Sequence, residues 1–369
     1  METITRRVFL KRTISGVGGV MLARSLGPNV SLAQPPADMN RVVVVEHHQA
    51  TDGVKAINPV NVQTMMDESI KQLTGEASVA NAWASLLPDF EEEHLIAIKV
   101  NTIASTHPTH PEVVDAIVAG LTAAGVPENN IIIYDRTNHE LKACGYKLNT
   151  GDVGVRCFGT NEKGWGYDQD NPVEILGQKR LLSTIVTRCD HLINVPVLRV
   201  HLPQYGVTLS LKNHYGSVDS PSSLHADFAA ACATLNSQEA IKDKTRLIVI
   251  DGLFGCWGSN PAMFVQDFAP NSLIVSRDTV AADYIGTEML NEELAKHNLP
   301  PRNVPLLEKA AQMGLGTSNP EKIEVLKVDL GPQKEEKEEV EEKPEEEVGK
   351  SVDPTGSYKT QWGSIKTKH

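Results

Sequence analysis

Paired cysteines are missing from this chain of 369 residues. Cys144, Cys157, Cys189, Cys232 and Cys256 are scattered, and no two are close enough for a C-x-x-C element. That spacing disfavours a cysteine-ligated iron–sulfur cluster held by a local motif. It leaves either buried thiols or a single disulfide whose pairing the spacing does not assign. There is no Gly-x-Ser-x-Gly elbow, no P-loop and no His-Glu-x-x-His sequence, so the commonest serine-hydrolase, P-loop and zincin readings fall away. Beyond the first thirty-odd residues no apolar run approaches the ~20 residues of a membrane span. No basic stripe is present, and nucleic acid is not an expected partner.

The two ends of the chain read as something other than fold. Thr5-Arg6-Arg7-Val8-Phe9-Leu10-Lys11 fits the twin-arginine export pattern at every position. A weakly apolar run from Ile14 to Ala23 follows, and Ser31-Leu32-Ala33 offers a small-residue cleavage site. Residues 1–33 are therefore expected to be a twin-arginine signal peptide. The mature protein is expected outside the cytoplasmic membrane, in the periplasm or its equivalent, with the twin-arginine export machinery as a partner. That route carries folded passengers, many already holding a cofactor, which raises the expectation of one without naming it. At the other end, Lys334 to Lys350 holds nine Glu and four Lys, a net −5 of the chain's −12. With so little apolar surface to offset its ordering entropy, the segment 331–369 is expected to be a disordered acidic tail.

Between these ends lies one globular domain, 34–330, within a mature chain of about 335 residues. Its hydrophobic share of 40% and aromatic share of 5% suit an ordinary α/β globule. Short apolar runs predict strands at Arg41–Glu46, Leu95–Val100, Asn130–Asp135, His191–Val197, Arg246–Asp251, Ser272–Ser276 and Ile323–Val328. Val207–Leu211 reads as a further buried strand. Helical patterns fall at Val62–Leu73, Pro111–Ala124, Ser222–Leu235, Thr279–Ala295 and Val304–Met313. Alternation of this kind predicts an α/β fold, a largely parallel sheet covered by helices on both faces. Residues 146–180 read as an irregular, Gly-rich excursion or small β insertion.

The polar residues concentrate where these strands end, which in an open α/β sheet is the ligand crevice. The segment Ile193–Ser217 is the densest, with Asn194, Arg199, His201, Lys212, Asn213 and His214 in a short span. Arg199 suits a bidentate clamp on carboxylate or phosphate, Lys212 a point charge, and Asn194 and Asn213 orienting amides. His201 and His214 can ligate metal or move protons, and with Lys212 they are the candidate catalytic groups. Lys99 and Asn101 close the second strand and lead into Thr106-His107-Pro108-Thr109-His110. That loop could hold an anion at a helix N-terminus or supply metal ligands, with His110 read as a capping or packing residue. Asp135 and Asp251 end two more strands; Asp278 reads as a helix cap, and Asp283 as an inward-facing acid that needs a partner. His107, Asp135 and Asp283 are the candidate metal ligands. Lys99, Asn101, Thr106, Asn194, Arg199, Asn213 and Asp251 are the candidate ligand-binding groups.

These residues also occur in a recognisable order. Lys99-Val100-Asn101, Thr106-His107-Pro108, the strand ending at Asp135, Asn194-Val195-Pro196, Lys212-Asn213 with Gly216, Asp251-Gly252, and Asp278 to Asp283 resemble the domain of unknown function 362 family. Its members are often labelled iron–sulfur-centre proteins. The likeness runs over 42–328 and takes in Gly314-Leu315-Gly316. Arg199 stands where the family commonly shows Lys, and the ferredoxin-like cysteine module of many relatives is absent, so the iron–sulfur label does not carry over. No reaction is established for the family, and the resemblance supports the site residues rather than an activity. The reading that follows is an exported protein whose polar crevice takes a small anionic ligand or a divalent metal. It would serve as an enzyme or cofactor-handling accessory using acid–base or metal-assisted chemistry, or as a non-catalytic anion-binding or assembly protein.

Overall fold

A computed structural model describes residues 40–259 and 264–331. The signal peptide and the acidic tail expected from the sequence lie outside the described residues.

The strands are β1 (Asn40–Glu46), β2 (Ile96–Lys99), β3 (Ile131–Tyr134), β4 (Arg156–Cys157), β5 (Val173–Ile175), β6 (Gln178–Arg180), β7 (His191–Asn194), β8 (Val197–Val200), β9 (Val207–Thr208), β10 (Thr245–Cys256), β11 (Ser272–Ser276) and β12 (Ile323–Asp329). The helices are α1 (Pro59–Thr74), α2 (Val79–Ser85), α3 (Pro111–Ala123), α4 (Asn138–Ala143), α5 (Thr184–Arg188), α6 (Ser210–Asn213), α7 (Phe228–Asn236), α8 (Glu239–Lys242), α9 (Thr279–Lys296) and α10 (Pro305–Gln312). The main sheet runs β12-β1-β11-β10-β7-β2-β3-β4, with β8 on the far end of β10 and β9 beside it. All its neighbours are parallel except the pairs made by β11 and the β8–β9 pair. The fold is α/β with a mixed, mostly parallel sheet.

Alternation along the strands explains why helices cover both faces. Val43, Val45, Ile96, Ile98, Ile193 and Leu247 point into a core with Val62, Met65, Trp83 and Ile117 of α1–α3. The alternate residues Ala97, Ile132 and Leu192 face α5, α7 and α10, while Val42, Val44 and Ile248 face α9. Parallel strands buried on both sides read as continuous apolar runs, as β2 and β3 do. Caps agree with the sequence signals. Asn58 accepts from Val60 and Asn61 N–H ahead of Pro59, and Asp278 accepts from Val280 and Ala281 N–H at the start of α9.

Three expectations change. The run His191–Val197 is two strands, because Pro196 interrupts the ladder and β8 re-pairs with the distal part of β10. Val207–Leu211 is a strand only to Thr208; Ser210 opens the short helix α6, so Lys212 sits on a helix. The helix expected at Ser222–Leu235 begins as a 3-10 turn ending at His225 and restarts at Phe228, with Asp227 as its cap. The excursion at 146–180 contains β4 and the β5–β6 hairpin, whose turn places Leu176 (φ 49) and Gly177 (φ 73) in the left-handed region required by a type I′ loop. Among the described residues no helix is long and apolar enough to cross a membrane.

Helices α2 and α3 meet where Gly120 lies against the Trp83 indole, leaving no room for a methyl group. Gly120→Ala is expected to destabilise the fold by about 1–3 kcal/mol through overpacking, read as a lower urea midpoint at unchanged m-value.

Candidate functional site

Parallel register brings the ends of β2, β3 and β7 side by side. Lys99 pairs across to Tyr134 on one flank and Asn194 on the other. The Lys99 side chain, 1% exposed, turns toward β3, and its Nζ lies 2.7 Å from Asp135 Oδ1. It also donates to the Val100 carbonyl at 2.6 Å and reaches Asn213 Oδ1 at 3.5 Å. Asp135 accepts in addition from the Thr102 N–H (2.7 Å) and hydroxyl (2.8 Å) and from the Arg136 N–H (2.8 Å). Burial pulls the Lys99 ammonium down and the Asp135 carboxylate opposes it. Gly216 closes over the pair; a Cβ there would meet Asp135 Oδ1 and come within 2.7 Å of Lys99 Nζ.

From this pair a line of amides runs head to tail. Arg199 Nη2 reaches Asn101 Oδ1 at 3.5 Å, and Asn101 Nδ2 donates to Asn213 Oδ1 at 3.0 Å. Asn213 Nδ2 donates to Asn194 Oδ1 (2.8 Å), and Asn194 Nδ2 donates to the Ser210 carbonyl (3.0 Å). Along the line each member donates to the next, so each bond polarises the following one, and Asn213 Nδ2 gives its second hydrogen to the Lys99 carbonyl (3.3 Å). At the far end Asp283 Oδ1 accepts from the Ser210 N–H and hydroxyl and Oδ2 from the Leu211 N–H, fixing the start of α6. Burial pushes the Asp283 carboxyl up to about 7 against the pull of those donors.

Beside this line opens a cavity of about 460 Å³, with mostly apolar walls. Lys99, Arg136, Arg199 and Lys212 bring positive charge to it, and Asp135 and Glu140 negative charge. Lys99 is held by Asp135, and Arg136 by Glu140. The other two cations have no counter-ion among the described residues. Arg199 is 2% exposed, its Nη1 has no hydrogen-bond partner there, and its guanidinium carbon lies 4.9 Å from the Phe264 ring centroid. Burial lowers it to about 10. Lys212 Nζ sits 5.0 Å from the Tyr215 ring centroid; burial, assisted by Arg199, Lys99 and Arg136, lowers it to about 8. His201 also lines the cavity, and its Nδ1 accepts from the Leu202 N–H at 2.7 Å, which leaves the ring proton on Nε2. Burial and then Lys212 lower it to about 3.

The structure thus gathers Lys99, Asn101, Asn194, Arg199, Asn213 and Asp135 into one network and places Lys212 and His201 at its cavity. Other expected site residues are elsewhere. Asp251 Oδ2 accepts from the His110 N–H (2.8 Å) and lies 2.7 Å from His110 Nδ1, so it ties β10 to the start of α3. Burial disfavours the His110 imidazolium, but Asp251 overcomes it and raises the group. The Thr106 hydroxyl is spent on the Phe264 carbonyl. His214 is buried behind the cavity with Nδ1 3.1 Å from the Ser217 hydroxyl. His107 is wholly buried and its ring nitrogens lack a well-formed hydrogen bond among the described residues. The metal set His107, Asp135 and Asp283 does not form: Asp135 faces Lys99 and Thr102, while Asp283 caps α6. No group of three or more His, Cys, Asp or Glu side chains among the described residues could hold a metal ion. All five cysteines are free and buried.

Sequence reasoning missed Thr102, Tyr215 and Phe264. The Lys212 to Tyr215 spacing of three on a helical turn was a usable signal for one of them. Nothing local announces that Phe264 would cover Arg199.

His107 and His214 are held neutral by burial, each lowered to about 3 from 6.5. Between those values the unfolded chain binds protons that the folded one does not, so stability falls as pH drops below about 6.5. Each histidine contributes about 1.4 kcal/mol per pH unit. Asp283, raised to about 7, takes up a proton first in the folded state and offsets one of them between about 4 and 7. Urea midpoints measured from pH 7 to pH 5 are expected to fall less steeply in His214→Gln, by close to one proton's worth of slope.

A family model described as domain of unknown function matches residues 96–288, just over half of the chain. No curated protein matches the chain. Among solved structures, the lactate racemase apoprotein from Thermoanaerobacterium thermosaccharolyticum is similar at 12% identity with a TM-score of 0.33. The match covers 70% of this chain and 58% of that one. The matched span 96–288 holds Lys99, Asn101, Asp135, Asn194, Arg199, Lys212 and Asn213 together: the chain belongs to the domain of unknown function 362 (DUF362) family.

Proposed function

We propose that the protein binds a small organic anion, through a carboxylate or phosphate group, in the cavity beside β2, β3 and β8. The observation that carries this reading is Arg199, a buried guanidinium that among the described residues has no carboxylate beside it and one nitrogen without a partner. An unpaired buried charge is costly, and a bidentate oxyanion is the group that best relieves it. Lys212 adds a second charge without a counter-ion among the described residues, and Asn101 Nδ2 keeps one hydrogen beyond the one it gives to Asn213. The cavity volume falls in the range that encloses small molecules. Within it, Lys212 is the group best suited to proton transfer near neutral pH.

Replacing Arg199 by Met should abolish binding of a carboxylate or phosphate ligand in calorimetry. The same change should raise the melting temperature of the ligand-free protein, because it removes a buried charge that no carboxylate among the described residues neutralises. Unaltered affinity in Arg199→Met would sink the reading.

We also propose that the chain is exported folded by the twin-arginine route, on the strength of the Arg6-Arg7 pattern. An Arg6→Lys/Arg7→Lys precursor is expected to accumulate uncleaved in the cytoplasm, assayed by fractionation and immunoblotting.

A further inference from the structure

Lys212 is more than a second cation. It lines the cavity, yet its ammonium has neither hydrogen-bond nor ion-pair partner among the described residues. The charged groups around it are Arg199, Lys99 and Arg136, all cations, while Asp135 and Glu140 are each engaged by another base. The remaining neighbours are neutral: Tyr215 beneath it, the Cys232 thiol and the imidazoles of His201 and His225. Nothing in this setting stabilises an ammonium beyond the ring face, so the free amine is populated close to neutral pH. The amine is also reachable, since the mouth of the cavity is bordered by the half-exposed side chains of Ile103, Leu202 and Phe264.

We propose that Lys212 is a nucleophile toward carbonyl compounds, and that the ligand class is a small 2-oxo carboxylate whose carboxylate rests on Arg199. The inference rests on the anion-binding reading of the same cavity. In the step, the Lys212 amine lone pair attacks the carbonyl carbon and a C–N bond forms. The carbonyl oxygen departs as water with the two amine protons, leaving an imine and no change in oxidation state. Arg199 and the second Nδ2 hydrogen of Asn101, the first being given to Asn213, fix the carboxylate end, and His201 Nε2–H is a donor at the cavity wall for the oxygen that leaves. The apolar walls favour loss of water over its return.

The test incubates the full chain with pyruvate and sodium cyanoborohydride near pH 8 and maps the reduced adduct by peptide mass spectrometry. A single adduct per chain on Lys212 is expected. It should be suppressed by excess lactate, which carries the carboxylate without the carbonyl. It should fall to the level of surface lysines in Lys212→Arg and in Arg199→Met, with circular dichroism and melting curves verifying that both variants fold. Labelling of Lys212 no stronger than that of surface lysines, while calorimetry still detects lactate or phosphate binding, overturns the proposal and leaves the anion reading standing. Strong Lys212 labelling that acetone matches and lactate does not suppress overturns the assignment of the carboxylate to Arg199. Absence of both labelling and anion binding overturns both readings.

Discussion

The buried ion pair of Lys99 and Asp135 is the constraint on which the rest of the site depends. A lysine ammonium in the middle of a parallel sheet is tolerable only if its lost hydration is replaced. The replacement here is a carboxylate, a backbone carbonyl and an amide oxygen, and the carboxylate in turn is filled by Thr102 and the Arg136 N–H. Satisfying that one pair fixes the loop after β2, the end of β3 and the position of the 214–217 turn, where only a glycine at 216 allows contact. The pair thus positions three segments around a cavity whose wall it also helps to form.

Once Lys99 is neutralised internally, the charge left over defines the chemistry. Arg199 and Lys212 face a mostly apolar cavity without counter-ions among the described residues, and the asparagine line that ends on Arg199 runs back to the Ser210 peptide and Asp283. A fold assembled for stability alone would gain by losing Arg199. Its burial there with one nitrogen unbonded among the described residues is the physical argument for the proposed anion. Asp283 takes part at one remove: it holds the first turn of α6, and α6 carries both Lys212 and Asn213.

A second polar assembly lies nearby and does a different job. Asp251, His110 and Gln266 join β10 to α3, with Gln266 Nε2 2.7 Å from His110 Nε2. None of the three lines the cavity. Asp251 ends its apolar run as Asp135 does, yet one meets a lysine at the cavity and the other a helix start.

The amino-acid sequence alone determined the layers. Apolar runs at Ile96–Lys99, Ile131–Tyr134 and Ser272–Ser276, amphipathic helices such as Pro59–Thr74, and caps such as Asp278 are local signals set by periodicity and turn chemistry. The same signals located the polar residues at strand ends, so Lys99, Asn101, Asp135, Asn194, Arg199 and Asn213 were legible as a set. Their division of labour was not. Whether a strand-end acid faces a lysine, a helix N-terminus or solvent depends on which crossover places which element beside it, and those contacts span more than a hundred residues in sequence for Asn101–Asn213 and His110–Asp251. Local patterning carries no information on such distances. Only the tertiary structure decided that Lys99 is paired, that Asp251 meets a helix start and Asp283 the first turn of α6, and that Arg199 and Lys212 have no counter-ion among the described residues, because net charge at a point is a property of everything packed around it.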